Sequence, residues 1–113
     1  MRRLAAFLIL AMVAGGALAP VPVIAADPPE MPLTIEKNQF QPAEVRVKSG
    51  TPFVLVITNK DATAAEFESK ELRVEKVVPA GKTVKVRVRA LKPGAYPFFN
   101  DFHQQTTGRI VAE

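Results

Sequence analysis

Apolar and polar residues alternate with a period of two along much of this chain, and that pattern commits it to sheet. The clearest run is residues 83–89, where Val84, Val86 and Val88 fall on one face and Lys85, Arg87 and Arg89 on the other. Successive side chains of an extended strand point to opposite faces, so such a run gives one surface to a core and one to water. Residues 33–37, 44–48 and 72–78 alternate in the same way. Residues 53–57 (Phe-Val-Leu-Val-Ile) are continuously apolar and read as a central strand covered on both faces. Turn signals separate the runs: residues 38–42 with one buried aromatic, Ser49-Gly50, Pro79-Ala80-Gly81 and residues 91–94. No stretch carries a helical stripe, and residues 62–70 have room for one helical turn. About seven or eight short strands with turns every eight to twelve residues predict an all-β, antiparallel Greek-key sandwich.

The N-terminus has a different character. Arg2 and Arg3 precede an apolar run over residues 4–18, and the small residues of Val23-Ile24-Ala25-Ala26 come before Asp27. This is the layout of a signal peptide cleaved after Ala26, and the run is short for a bilayer span of about twenty residues. The expected organisation is a signal peptide over 1–26, a Pro-rich flexible leader over 27–32 and one domain over 33–113. The expected location is the periplasm. Without Arg2 and Arg3, 13 basic residues face 11 acidic ones, a net charge of +2. The basic residues alternate along strands and form no patch with interleaved aromatics, which argues against nucleic-acid binding. About ninety residues remain, enough for one small domain. The chain has no cysteine. That excludes a disulfide staple, a zinc–thiolate site, thiol redox chemistry and a cysteine nucleophile.

Residues 94–108 (GAYPFFNDFHQQTTG) concentrate the chemistry. They hold the single histidine, His103, the single tyrosine, Tyr96, three of the seven phenylalanines and Asp101. A polar loop bounded by aromatics between strands is a common place for a ligand site at the rim of a sandwich. Glu66 and Glu68 lie two residues apart, so an extended segment puts both carboxylates on one face. If that face is the inner one, the pair needs a cation, or Lys70 and Arg73, to offset burial. No Ser/His/Asp arrangement, phosphate loop or paired-histidine motif is present, so a hydrolytic or phosphoryl-transfer enzyme is not indicated.

The segment Gly94-Ala95-Tyr96-Pro97-Phe98-Phe99-Asn100-Asp101-Phe102-His103 resembles the Gly-x-Tyr-x-Phe/Tyr-x-Cys-x-x-His segment of cupredoxins. Phe40-x-Pro42-x-x-Val45-x-Val47-x-x-Gly50 is similar to the second strand of that family, and Asn59-Lys60-Asp61 to the stretch before its first copper histidine. The resemblance implies that Glu66 stands at the first histidine position and Asn100 at the cysteine position, with His103 retained as the second histidine. The axial methionine position falls on Thr106 and Thr107, in a loop about two residues short. A blue-copper centre depends on its thiolate, so none is expected.

What remains is His103, Glu66 and Asp101, with Glu68 as a further ligand. Such a set suits Cu(II), iron, Mn(II) or Zn(II) better than Cu(I). Residues 65–69, 75–81 and 99–103 also resemble cupredoxin-like proteins of bacterial periplasmic iron uptake, of the EfeO and FtrB kind. That resemblance implies a copper or iron ion, an inner-membrane iron permease or other periplasmic subunit as partner, and oxidation or hand-over of ferrous iron, so a ferroxidase-like role stays open. The blander alternatives are an exposed loop histidine at 103, a turn-forming Asp101 and a Glu68 paired with Lys70 or Arg73. A metal-free sandwich docking to a permease or partner subunit is the competing function, with a Glu66–Lys70 or Asp101–Arg109 ion pair filling the site.

Overall fold

The computed structural model describes residues 15–17, 19–20 and 26–113. The segment read as a signal peptide lies largely outside them. The described chain forms nine strands: β1 (Glu30–Glu36), β2 (Gln39–Gln41), β3 (Glu44–Val47), β4 (Phe53–Asn59), β5 (Ala65–Ser69), β6 (Val74–Val78), β7 (Thr83–Val88), β8 (Gly94–Asn100) and β9 (His103–Ala112). They build two sheets, in the orders β2-β1-β4-β7 and β3-β9-β8-β5-β6. No helix among the described residues is long and apolar enough to cross a membrane.

The period-two pattern packs as expected. Leu33, Ile35, Phe53, Leu55, Ile57, Val86 and Val88 of one sheet face Val45, Phe67, Val78, Phe98 and Ile110 of the other, all buried. Phe98 sits at the centre, edge-on to Phe40 at 4.8 Å and tilted against Phe67 at 4.9 Å, an arrangement aromatic quadrupoles favour. Gly108 pairs with Phe98 across β8 and β9. A Cβ there would lie 2.5 Å from the Phe98 ring and 2.9 Å from the Ala43 carbonyl, so this backbone approach accepts glycine only.

Three departures from the sequence reading have clear causes. The sheets are mixed: β1 runs parallel to β4, and β3 parallel to β9. The first strand starts at Glu30, inside the expected flexible leader. There Val54 N donates to Pro29 O at 2.9 Å, Met31 packs on the core and Glu30 pairs with Lys85 at 2.8 Å. The segment 38–42 contributes a strand of its own, β2, folded back on β1 through Lys37 and Asn38, both at positive φ. Two left-handed residues make the turn whose twist suits a two-residue hairpin. Asp61 holds that turn by accepting from Lys37 N at 2.7 Å and Asn38 N at 3.0 Å.

Candidate metal centre

Strand β5 divides its residues cleanly. Ala65, Phe67 and Ser69 are buried, while Glu66 and Glu68 are half-buried on the outer face of the five-stranded sheet. The bulk of Phe67 in the aromatic core decides this orientation. The two acids therefore do not point into the core.

The hairpin between β8 and β9 brings the third acid to them. Asn100 is buried at the end of β8, and its Oδ1 accepts from Glu66 N at 2.9 Å and from Phe102 N at 3.1 Å. Asp101 N donates to Glu66 O at 2.9 Å. These bonds fix the hairpin tip to the backbone of Glu66. Carboxylate oxygens of Glu66, Glu68 and Asp101 then lie within 4.8 Å of one another. Glu75, directly across from Glu68 on β6, adds a fourth negative charge to the same face. None of Glu66, Glu68 and Asp101 has a Lys or Arg within ion-pair distance among the described residues. Neither ion pair expected of a filled site forms, and Arg109 pairs instead with Glu44 at 3.2 Å. Asp101 accepts from Gln104 at 3.1 Å.

Crowding shows in the acid strengths. Desolvation, then the charges of Asp101 and Glu75, push the Glu66 carboxyl above the ordinary glutamate range. Glu68 is raised by desolvation, Asp101, Glu75 and Glu66, against a smaller lowering by Lys70. Both directions follow from partial burial and like-charge repulsion, which disfavour the ionised form.

His103 stands outside this trio. It opens β9 as the partner of Asn100, and its Nδ1 lies 2.8 Å from Thr106 Oγ1. The expected four-residue set is thus three carboxylates in one group plus a histidine held separately. A register shift explains the separation. Phe99 pairs with Thr107 but Asn100 pairs with His103, so β9 carries three extra residues against one step of β8. The bulge turns Thr106 inward, where it is buried and donates to Asn38 O at 2.6 Å. Asn100, Thr106 and Glu75 are the contributors that ligand spacing alone did not single out. The one signal for Asn100 was its place at the cysteine position.

The donor set fits a hard or borderline cation. Oxygens bound to one ion at about 2.1–2.4 Å lie roughly 3–4.8 Å apart, so side-chain adjustment alone could close the trio. A blue-copper centre does not fit, because no thiolate is available.

Comparison with known proteins agrees with the architecture. Auracyanin A, a blue copper protein from Chloroflexus aurantiacus, matches with a TM-score of 0.65 at 13% identity, over 76% of this chain and 99% of that one. The metal-binding domain of the Cu(I)-exporting P-type ATPase CopA from Streptococcus pneumoniae D39 gives a TM-score of 0.65 at 14% identity, over 74% and 84% of the two chains. At such identities the likeness is one of fold. In sequence, the uncharacterized protein RP394 of Rickettsia prowazekii (strain Madrid E) is 42% identical over 82 residues, which cover 73% of this chain and 66% of that protein. The family model described as a cupredoxin-like domain matches residues 3–112. The chain belongs to the cupredoxin-like domain family.

Proposed function

We propose that this protein is a periplasmic metal-binding cupredoxin whose Glu66, Glu68 and Asp101 hold a copper(II) or iron ion. His103, on the same hairpin, is the additional donor. The observation that carries the reading is the convergence of three carboxylates, fixed through Asn100 and without a basic partner among the described residues. Like charges repel, and here the fold holds three half-buried acids together. A bound cation would supply the missing positive charge. The role that fits is accessory to iron uptake, with ferrous iron oxidised or handed over beside an inner-membrane permease. In that role iron is cargo, and the carboxylates suit a hard ion that must also leave.

Docking to a partner subunit is the second reading. Phe102 and Val77 favour it: they are 55% and 46% exposed, next to Asp101 in sequence and across from Glu66 on β6.

Calorimetric titration of the metal-stripped protein with Cu(II), anaerobic Fe(II) and Mn(II) separates the two. One-to-one binding that disappears in Glu66→Gln/Glu68→Gln/Asp101→Asn is the expected result. Equal binding by this variant, or none by the native protein, would remove the metal reading and leave docking.

A further inference from the structure

His103 lies at the end of a hydrogen-bonded chain whose donors can be assigned one by one. Asn38 O is a carbonyl and only accepts. The 2.6 Å contact from Thr106 Oγ1 therefore consumes the single hydroxyl proton of Thr106. The 2.8 Å contact between Thr106 Oγ1 and His103 Nδ1 then needs a proton from the ring. Nδ1–H must donate to the remaining lone pair of the hydroxyl. The neutral imidazole is thereby set in its Nδ1–H form, with an unprotonated Nε2.

We propose that Thr106 and Asn38 are positioning residues that hold His103 as an Nε2 ligand for a divalent transition-metal ion of the kind that accepts imidazole. Three further observations support this. His103 is exposed and Nε2 has no hydrogen-bond partner among the described residues, so the nitrogen is available. Thr106 is 3% exposed, so its hydroxyl is shielded from water that would compete for the ring. Asn38 is itself fixed, because Asp61 accepts from the amides of Lys37 and Asn38, and the buried Asn59 accepts from Asp61 N at 3.0 Å. The path runs from β4 through the β1–β2 turn to the bulge of β9. Metal-binding histidines commonly donate their second ring N–H to such an acceptor, which fixes the tautomer and strengthens the donor.

The ligand role rests on the metal reading above, which already names His103 as a donor, whereas the tautomer is decided first in metal-free protein, so the two fail separately. The experiment is ¹⁵N NMR of the imidazole at about pH 8, above the ordinary histidine range. In the native protein Nδ1 should carry the proton and Nε2 should not; the opposite tautomer overturns the proposal. Thr106→Val should abolish the preference and Thr106→Ser should restore it. Persistence of the Nδ1–H form in a folded Thr106→Val variant would show that the hydroxyl does not set it. Should that variant fail to fold, the native spectrum still decides. Zn(II) alone, a diamagnetic probe, should then shift Nε2 while Nδ1 stays protonated, and bind about tenfold more weakly to Thr106→Val. Coordination through Nδ1, or no change at either nitrogen, would overturn the ligand assignment.

Discussion

The five-stranded sheet treats its acidic residues in two ways. At the β3–β9 edge each is matched. Glu44 pairs with Arg109 at 3.2 Å and Arg46 at 3.6 Å, and Arg46 also pairs with Glu113. At the β5–β8 end, Glu66, Glu68 and Asp101 converge with no Lys or Arg paired to them among the described residues, and Glu75 adds a fourth charge opposite Glu68. Both clusters are partly solvated and both sit on the outer face of one sheet. The difference lies in what holds them. The first is an exchange of flexible side chains over regular strands. The second is locked by backbone, through the two bonds to Asn100 and the one from Asp101 N to Glu66 O. Repulsion would spread the acids if their supports were loose. A fold that fixes like charges together gives up some stability, as active sites do.

The sharpest way to break that contrast is to remove the lock. Asn100→Ala leaves the amides of Glu66 and Phe102 without their acceptor. An unmet donor in a partly buried place costs about 1–3 kcal/mol, so the pair should lose about 2–4 kcal/mol in a urea titration. The melting temperature of a domain this small should fall by about 10 °C or more. Hydrogen exchange at the Glu66 and Phe102 amides should rise most. A variant as stable as the native protein would mean that Asn100 does not hold the trio.

Asn100 also marks where reading the sequence stops. Alternation told that Ala65, Phe67 and Ser69 share one face and Glu66 and Glu68 the other. It did not tell which face was inner, since the period is the same either way; the packing of Phe67 against Phe98 settles that. The pattern is equally indifferent to strand direction, so the two parallel pairs were not legible. The first half of strand β9 is not legible, because Gln104, Gln105, Thr106 and Thr107 are polar in succession and show no period. Within that polar run lies the bulge that separates His103 from the carboxylates. Its partner Asn38 is 68 residues away, beyond any local pattern. The cupredoxin-like resemblance placed the right segments near one another, while atomic donors and acceptors decided how they meet.

Charge removal tests the same contrast more gently. Glu66 and Glu68 titrate above the ordinary glutamate range in the folded protein. The native state therefore binds more protons than the unfolded chain over that window. Linkage then makes stability fall as pH rises, and what these groups contribute in acid is lost as pH climbs through their folded values. Relative to Glu66→Gln/Glu68→Gln, the metal-free native protein should lose ground in urea midpoints as pH rises above the ordinary glutamate value of about 4.3. Saturating Mn(II) should flatten the difference, because the ion stabilises the ionised carboxylates. Parallel pH profiles for the two proteins without metal would show that the acids do not crowd one another.

The matched edge should respond least. Arg109 and Glu44 are 59% and 34% exposed at their side chains, and water competes with the contact. Exposed pairs of this kind contribute about 0–1 kcal/mol, because ordering two long side chains offsets a weak attraction. In Arg109→Ala, Glu44 keeps Arg46 within 3.6 Å, so no charge is stranded. The backbone of β9 is unchanged, as Arg109 N still donates to Ala43 O at 2.9 Å. Denaturant titration of Arg109→Ala should therefore show a loss of about 0.5 kcal/mol or less, with metal affinity as in the native protein. A loss several times larger would place the matched acids, like the converged ones, under constraint by the fold, and the two ends of the sheet would cease to differ in kind.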